Sequence, residues 1–375
     1  MVAKNSKRTV EEILDIAGIQ IDGNQPWDIQ VHNPKLYKKI LAHHSLGLGE
    51  SYMDGWWDCN ALDKFFDRLL RAELDKIVTP SAYMVLQAIK ARAFNLQKVK
   101  RAFHIGKAHY DIGNDLYTRM LDKRMNYSCG FWRDADSLDD AQEAKLELIC
   151  KKMGLDKQKG LKVLDIGCGW GSFAQYAAEK YGAEVVGITV SEEQVKLARE
   201  NCQGLHVEVR YQDYRDLDEK FDRIVSVGMF EHVGVKNYRR FMKKVRGCLK
   251  NDGLFLLHTI GGNRSVKLTD PWIGKYIFPN SMLPSISQIA RASEGLFVQE
   301  HFHSFGQYYD PTLMAWHKNF NDHWDEIKER YGERFKRMWN YYLLSCAGSF
   351  RARKNQVWQI VYSKNGVEGG YPNDW

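Results

Sequence analysis

Residues 163–171, VLDIGCGWG, constrain the fold of this chain more than any other stretch. An apolar strand runs directly into a glycine-rich turn, and helix-forming sequence opens at Ser172. Gly167, Gly169 and Gly171 allow the main chain to approach a ligand closely, and the start of the following helix offers amides with no partner inside the helix. The chain beyond Gly160 continues in the same style. Strand-like EVVGITV, HVEVRY, FDRIVSV and LFLLHTI alternate with helical stretches starting near 172, 191 and 237. That alternation implies a parallel sheet with helices on both faces. FVQEHFH at 297–303 and QVWQIVYS at 356–363 are two further strand candidates for one edge.

Upstream, residues 11–75 read as short helices broken by turns: EEILDIAG closes on Gly18 as a C-cap, and LDKFFDRLLRA repeats apolar residues at helical spacing. From Lys76 through Tyr110 there is no acidic residue, whereas Lys76, Lys90, Arg92, Lys98, Lys100, Arg101 and Lys107 are basic. Leu86, Ile89, Ala93, Leu96, Val99 and Phe103 form one helical stripe through this segment. Two readings stand: a connecting helix packed on its own protein, or a membrane-surface helix whose lysines reach anionic headgroups. The expected organisation is a helical, membrane-associated domain over 1–95, a basic linker over 96–106 and a catalytic domain over 107–375.

The 375 residues suffice for two domains, and 44% apolar with 27% charged residues is an ordinary globular composition. No apolar run approaches the roughly 20 residues of a bilayer-spanning helix. No apolar stretch follows the basic amino terminus, so a secretory signal is not expected and a cytoplasmic location is. Seven cysteines, odd in number and without C-x-x-C spacing, suggest reduced thiols rather than disulfides or a zinc site. The net charge of +7 points to an anionic partner, either phospholipid headgroups or nucleic acid.

A dinucleotide loop would carry G-x-G-x-x-G, but Ser172 occupies the third glycine's place and Thr189 stands where the ribose-binding acid belongs. The D-x-G-x-G-x-G form after a strand is instead that of the S-adenosylmethionine loop of class I methyltransferases. Its residues here are Val163, Leu164, Asp165, Ile166, Gly167, Cys168, Gly169, Trp170 and Gly171. Asp165 can receive the cofactor's ammonium or order the loop. A second element, TVSEEQ, supplies Thr189, Val190, Ser191 and Gln194; Thr189 departs from the usual acid, and Gln194 is the candidate for the ribose hydroxyls. In QDYRDL at 212–217, Asp213 can accept from the adenine amine and Tyr214 can flank the ring, unless Asp213 is simply an exposed loop acid. The N/D-P-P-Y type motif of amino-group methylation is missing, which argues against a nucleic-acid substrate.

SLGLGESYMDGWW at 45–57, KAHYDIGNDLY at 107–117, NYSCGFW at 126–132, VGMFEHVG at 227–234, LLHTIGG at 256–262, YIFPN at 276–280 and FRAR at 350–353 together resemble the cyclopropane fatty acid synthases. The resemblance runs from about residue 10 to about 364 and includes the helical leader, as in the two-domain bacterial phospholipid type. It leaves VEGGYPNDW without a motif. It implies a Rossmann-like class I methyltransferase acting on the cis double bond of an unsaturated phospholipid acyl chain at the inner membrane surface, as a peripheral homodimer. It further implies that Tyr127 and Ser128 join the cofactor site. A bicarbonate ion would be the proton acceptor, held at Cys129, Glu231, His258, Ile260 and Tyr309, with Cys129 and Ile260 acting mainly through backbone groups. Cys346 resembles a cysteine suspected in the family of being a nucleophile, although direct methyl transfer to carbon needs no thiolate. Two rivals remain: a relative that adds a plain methyl or methylene, and a lipid-binding module with a dead methyltransferase site.

Overall fold

The computed structural model describes residues 2–74 and 113–372, and the chain divides into two compact units. The basic segment 76–110, its helical stripe and the 96–106 linker lie outside the described residues.

One unit combines the leader with Lys267–Pro279 and Tyr309–Asn355, so it is assembled from three separate stretches of chain. The reason is a shared aromatic core. Trp57, Phe65, Trp272, Trp339 and Tyr341 are buried together with Leu62 and Leu343. The helix Leu62–Arg71 lies so close to Glu333–Arg351 that a Cβ at Gly348 would sit 2.6 Å from both the Asp63 carbonyl oxygen and the Phe66 Cβ. Arg351, from the FRAR motif, ties the leader to the Tyr309–Asn355 stretch: it donates two bonds of 2.8 Å to the Asp310 carboxylate and one of 2.5 Å to Asp63. A forked guanidinium suits this double pairing, which a lysine ammonium could not reproduce.

The other unit carries a seven-stranded sheet: β1 Lys162–Ile166, β2 Glu184–Thr189, β3 Val207–Tyr211, β4 Phe221–Val227, β5 Leu249–Gly262, β6 Val298–Ser304 and β7 Asn355–Ser363. Their order is β3-β2-β1-β4-β5-β7-β6. The pairs β1–β2, β2–β3, β1–β4 and β4–β5 are parallel, and β6 runs antiparallel to β7 at the edge. All seven strand candidates read from the sequence are therefore strands of one sheet, in the class I methyltransferase arrangement. The sheet is covered on both faces. Phe221, Ile224, Phe241, Phe255 and Tyr362 pack in one apolar cluster, and Val163, Val185, Val225, Phe173 and Ile149 in the other. Each such fully buried side chain is worth roughly 1.5–3 kcal/mol. The strand order reverses at β1, and both β2 and β4 flank it, which opens a crevice at the carboxyl ends of these strands.

The carboxy-terminal stretch, for which the sequence offered no motif, closes on this unit. The Tyr371 hydroxyl donates to the Lys152 carbonyl at 2.6 Å, at the end of the helix Leu138–Lys152, and the Val367 amide donates to Glu300 at 3.0 Å. The tail thus satisfies one of the carbonyls that every helix end leaves open.

Candidate active site

The glycine-rich turn follows β1 and opens the helix Ser172–Tyr181. Gly167 has φ +84°, and a Cβ there would meet the Met229 side chain at 2.8 Å, so both its conformation and its surroundings demand glycine. A pocket runs from this turn along the ends of β1, β2 and β4. Tyr127, Ser128, Asp165, Ile166, Gly167, Cys168, Gly169, Trp170, Thr189, Val190, Gln194, Asp213 and Tyr214 all line it. Four of the sequence-selected residues are placed behind the lining. Val163 and Leu164 are buried within β1. Gly171 and Ser191 precede the helices Ser172–Tyr181 and Glu192–Asn201, where the Ser191 hydroxyl accepts from the Gln194 amide at 3.3 Å.

Polar groups lining the pocket come from three successive strand ends. The Thr189 hydroxyl donates to Gln194 Oε1 at 2.7 Å, so the other end of that amide is its NH2, a donor. Asp213 is buried rather than an exposed loop acid. Its Oδ1 accepts from the Arg215 main-chain amide at 2.9 Å and pairs with Arg215 Nε at 3.0 Å, and the residue lines the pocket. Because adenine contacts are the same in the ground and transition states, Asp213→Ala is expected to raise the cofactor KM at least tenfold while kcat at saturation changes less than threefold, magnitudes on the order of one lost hydrogen bond to a polar group. Steady-state kinetics over a cofactor titration check this; a large fall in kcat at unchanged KM would overturn the assignment.

Asp165 lines the same pocket, and burial pushes its carboxyl up to about 7 even though the neighbouring Lys145 ammonium pulls the other way. Lys145 was not anticipated from the sequence. It is only 1% exposed, projecting inward from the helix Leu138–Lys152 to donate to Asn126 Oδ1 at 2.7 Å and Ser128 Oγ at 3.0 Å. Burial pushes its ammonium down to about 8, held there against further loss by Asp122, Cys129 and Asp165. Lys145 therefore fixes the 126–128 segment against the cofactor loop. His232 also lines the pocket, and burial lowers its imidazole to about 4, so it is neutral at physiological pH.

Immediately beyond the pocket, at the carboxyl ends of β4 and β5, the strands bring Glu231 and His258 together with Ile260. Val227 pairs with His258 in the ladder, and the Gly228 amide donates to the His258 carbonyl at 3.0 Å. Glu231 is in the short turn Phe230–His232, 5% exposed, where its Oε1 accepts from the Ile260 amide at 2.7 Å. Its Oε2 is buried without a hydrogen-bond partner. Burial pushes the carboxyl up to about 7, against the Ile260 amide, its own amide and the Thr259 hydroxyl, which lower it. His258 Nδ1 lies 3.2 Å from Gln359 Nε2, and burial, with Lys145 and Lys152 nearby, depresses its imidazole well below the usual range. Cys129 is buried, its thiol 3.3 Å from the Gly130 carbonyl oxygen. The Ile260 amide is thus already engaged in aiming Glu231. Tyr309 belongs to the other unit, where its ring stacks on Phe350 at 4.5 Å.

A family model for mycolic acid cyclopropane synthetase matches residues 97–360. The chain belongs to this cyclopropane synthase family. A cyclopropane-fatty-acyl-phospholipid synthase of Escherichia coli K12 is 56% identical over 98% of this chain and 95% of that protein. The cyclopropane mycolic acid synthase 2 of Mycobacterium leprae is 34% identical over 72% of this chain and 96% of its own length. Among solved structures, a cyclopropane synthase of Mycobacterium tuberculosis superposes with a TM-score of 0.67 at 31% identity, covering 72% of this chain and all of that one. A mycolic acid cyclopropane synthase complexed with SAH and CTAB gives 0.64 at 33% identity over 70% and 98% of the two chains. Fold, family and the cradle after β1 make this chain an S-adenosylmethionine-dependent methyltransferase.

Cys346 lies in the helix Glu333–Arg351 of the other unit, and burial pushes its thiol up to about 12, with Asp270 adding to the rise. Such a thiol stays protonated near neutral pH and behaves as a small apolar side chain. Cys346→Ser is expected to retain at least about a third of wild-type turnover, since the swap is nearly isosteric and the cost of burying a hydroxyl, roughly 1–3 kcal/mol, falls on stability rather than on the chemical step. A folded, cofactor-binding but inactive variant would give the thiol a chemical role.

Proposed function

We propose that this methyltransferase is a cyclopropane-fatty-acyl-phospholipid synthase, using residues beyond the cofactor pocket to complete ring closure on an unsaturated acyl chain. The observation that carries the reading is the buried Glu231 carboxyl, one oxygen held by Ile260 and the other unpartnered, at the strand ends beside the methyl-donor cradle. The likeness to the E. coli enzyme along nearly the whole chain, leader included, supports the same substrate class.

In the first step the alkene π electrons attack the sulfonium methyl, the C–S bond breaks, and a carbocation forms on the neighbouring carbon. Loss of a proton from the transferred methyl then lets that C–H pair close the three-membered ring. An alkene is a weak nucleophile, so the chain's contribution is alignment and exclusion of water from the cation. Asp165, Gln194 and Asp213 fix the donor at three points along its length. Bicarbonate, when bound, supplies the proton acceptor for the second step. The donor set fits it: the unpartnered Glu231 Oε2 can pair with the ion's hydroxyl, and the His258 ring can donate to one of its oxygens. Cys129 is proposed to complete the same site.

Incubation with unsaturated phospholipid vesicles and labelled S-adenosylmethionine, followed by mass analysis of the fatty acid esters, tests this. The expected product is the cyclopropane; a product two hydrogens heavier would identify plain methylation, and no product would favour a lipid-binding module.

The enzyme is proposed to work as a homodimer, peripherally, on the inner membrane surface. Among the described residues no helix is long and apolar enough to cross a membrane. Attraction to the surface would rest on the net charge of +7 and the acid-free segment 76–110. Binding to anionic vesicles is expected to weaken as salt rises, with each basic side chain contributing on the order of 1 kcal/mol. Single substitutions should be mild and multiple ones strong; equal binding to neutral vesicles at high salt would overturn this.

A further inference from the structure

A second buried lysine stands behind the ion site, and no step of the proposed chemistry uses it. Lys152 is 1% exposed, and its Nζ lies 2.8 Å from Gln359 Oε1 and 3.0 Å from His303 Nδ1. Gln359, on β7, is fully buried and places its amide nitrogen 3.2 Å from His258 Nδ1. The ammonium form of Lys152 leaves one arrangement. An ammonium can only donate, so the Gln359 atom facing it is the carbonyl oxygen, and because burial pushes Lys152 down to about 7 this is the arrangement held below that value. The other end of the same amide is then NH2, which can only donate. His258 Nδ1 must accept, and the single proton of a neutral imidazole is on Nε2.

We infer that Lys152 and Gln359 are positioning residues that lock His258 in the Nε2–H tautomer, so that a donor rather than a lone pair faces the ion site. The imidazolium form, which would make the lock irrelevant, is opposed by burial and by the charges of Lys145 and Lys152. A histidine locked this way cannot itself take the proton from the transferred methyl. It can steady an anion that does. The role toward bicarbonate rests on the proposed function; the tautomer does not.

The full-length protein, labelled with 15N at its histidines and without cofactor, lipid or bicarbonate, gives a direct readout. The chain has 12 histidines, and the His258 signals are identified by their loss in His258→Gln. The expected result is a protonated, pyrrole-type Nε2 and an unprotonated, pyridine-type Nδ1. Gln359→Glu keeps the shape but turns the donor into an acceptor, and should move the proton to Nδ1. Turnover should fall about 10- to 100-fold with cofactor affinity unchanged, the usual cost of disturbing a partner that orients a ligating histidine. Lys152→Met should leave the Gln359 amide free to turn and give mixed tautomers. Wild-type His258 protonated on Nδ1, or a Gln359→Glu protein with the wild-type tautomer and turnover, would overturn the inference. If the wild-type tautomer is as inferred but added bicarbonate leaves the His258 signals unmoved, the lock stands and the ion reading fails.

Discussion

Glu231→Gln is expected to lower turnover about 100- to 1,000-fold while leaving cofactor affinity nearly unchanged, the scale of removing one preorganised electrostatic contact. The substitution keeps the side chain's size and its acceptor for the Ile260 amide, which engages only Oε1. What changes is the second oxygen, buried and unpartnered in the native protein, which becomes a donor. A bicarbonate hydroxyl that would donate to Glu231 then meets an NH2 group, and the ion loses the contact that aims its free oxygens at the cation. The proposed cofactor contacts lie elsewhere, Asp165 on β1, Gln194 in the helix Glu192–Asn201 and Asp213 after β3, so binding titrations should barely respond. In bicarbonate-depleted buffer the native enzyme is expected to lose activity and regain it on addition of the ion. A folded Glu231→Gln enzyme with near-normal turnover would mean that other groups position the base.

The second large effect concerns Asp165. If its carboxylate receives the cofactor's ammonium, Asp165→Asn should weaken cofactor binding on the order of 10- to 100-fold, since a hydrogen bond to a charged group is worth about 1.5–3 kcal/mol. The pH dependence carries a sign that a loop-ordering role would not produce. Burial holds the carboxyl near 7 in the free protein, and an ammonium placed beside it lowers that value. Binding therefore expels a proton at low pH: affinity weakens as pH falls below 7 and levels off above it. Between pH 6 and pH 8 the native protein should tighten its cofactor grip by about tenfold. Lys145, the charged group facing Asp165, is held near 8 and stays cationic over most of this window. Calorimetric titration at both pH values, with Asp165→Asn losing the slope, checks the assignment. An unchanged slope in that variant would place the titration elsewhere.

The spacing of apolar residues and the turn chemistry are local properties, and they were enough to identify the sheet. β1 to β7 each occupy the stretch that the alternation marks, and the turn after β1 needs glycine because of its positive φ and the closeness of Met229. The cofactor loop, Gln194 beside Thr189, and the placement of Glu231 and His258 at strand ends follow from the same kind of pattern together with the family resemblance. The burial of charge is different. Lys145 and Lys152 are seven residues apart, two turns of one helix, in a stretch that reads as LDDAQEAKLELICKK with charges on every side. Nothing local says that these two point inward. Their partners do, and the Gln359 that receives Lys152 is 207 residues away. The same holds for Arg351, whose carboxylates lie 41 and 288 residues distant, and for the assembly of one unit from three stretches that no single boundary in the sequence separates. By itself the sequence determined which segments become strands and where a methyl donor would bind, because periodicity and glycine act over a few residues. Only the tertiary structure decided which lysines are buried, which oxygen of Glu231 is left unpaired and which nitrogen of His258 accepts, because a buried polar group is stable only where distant segments bring it a partner.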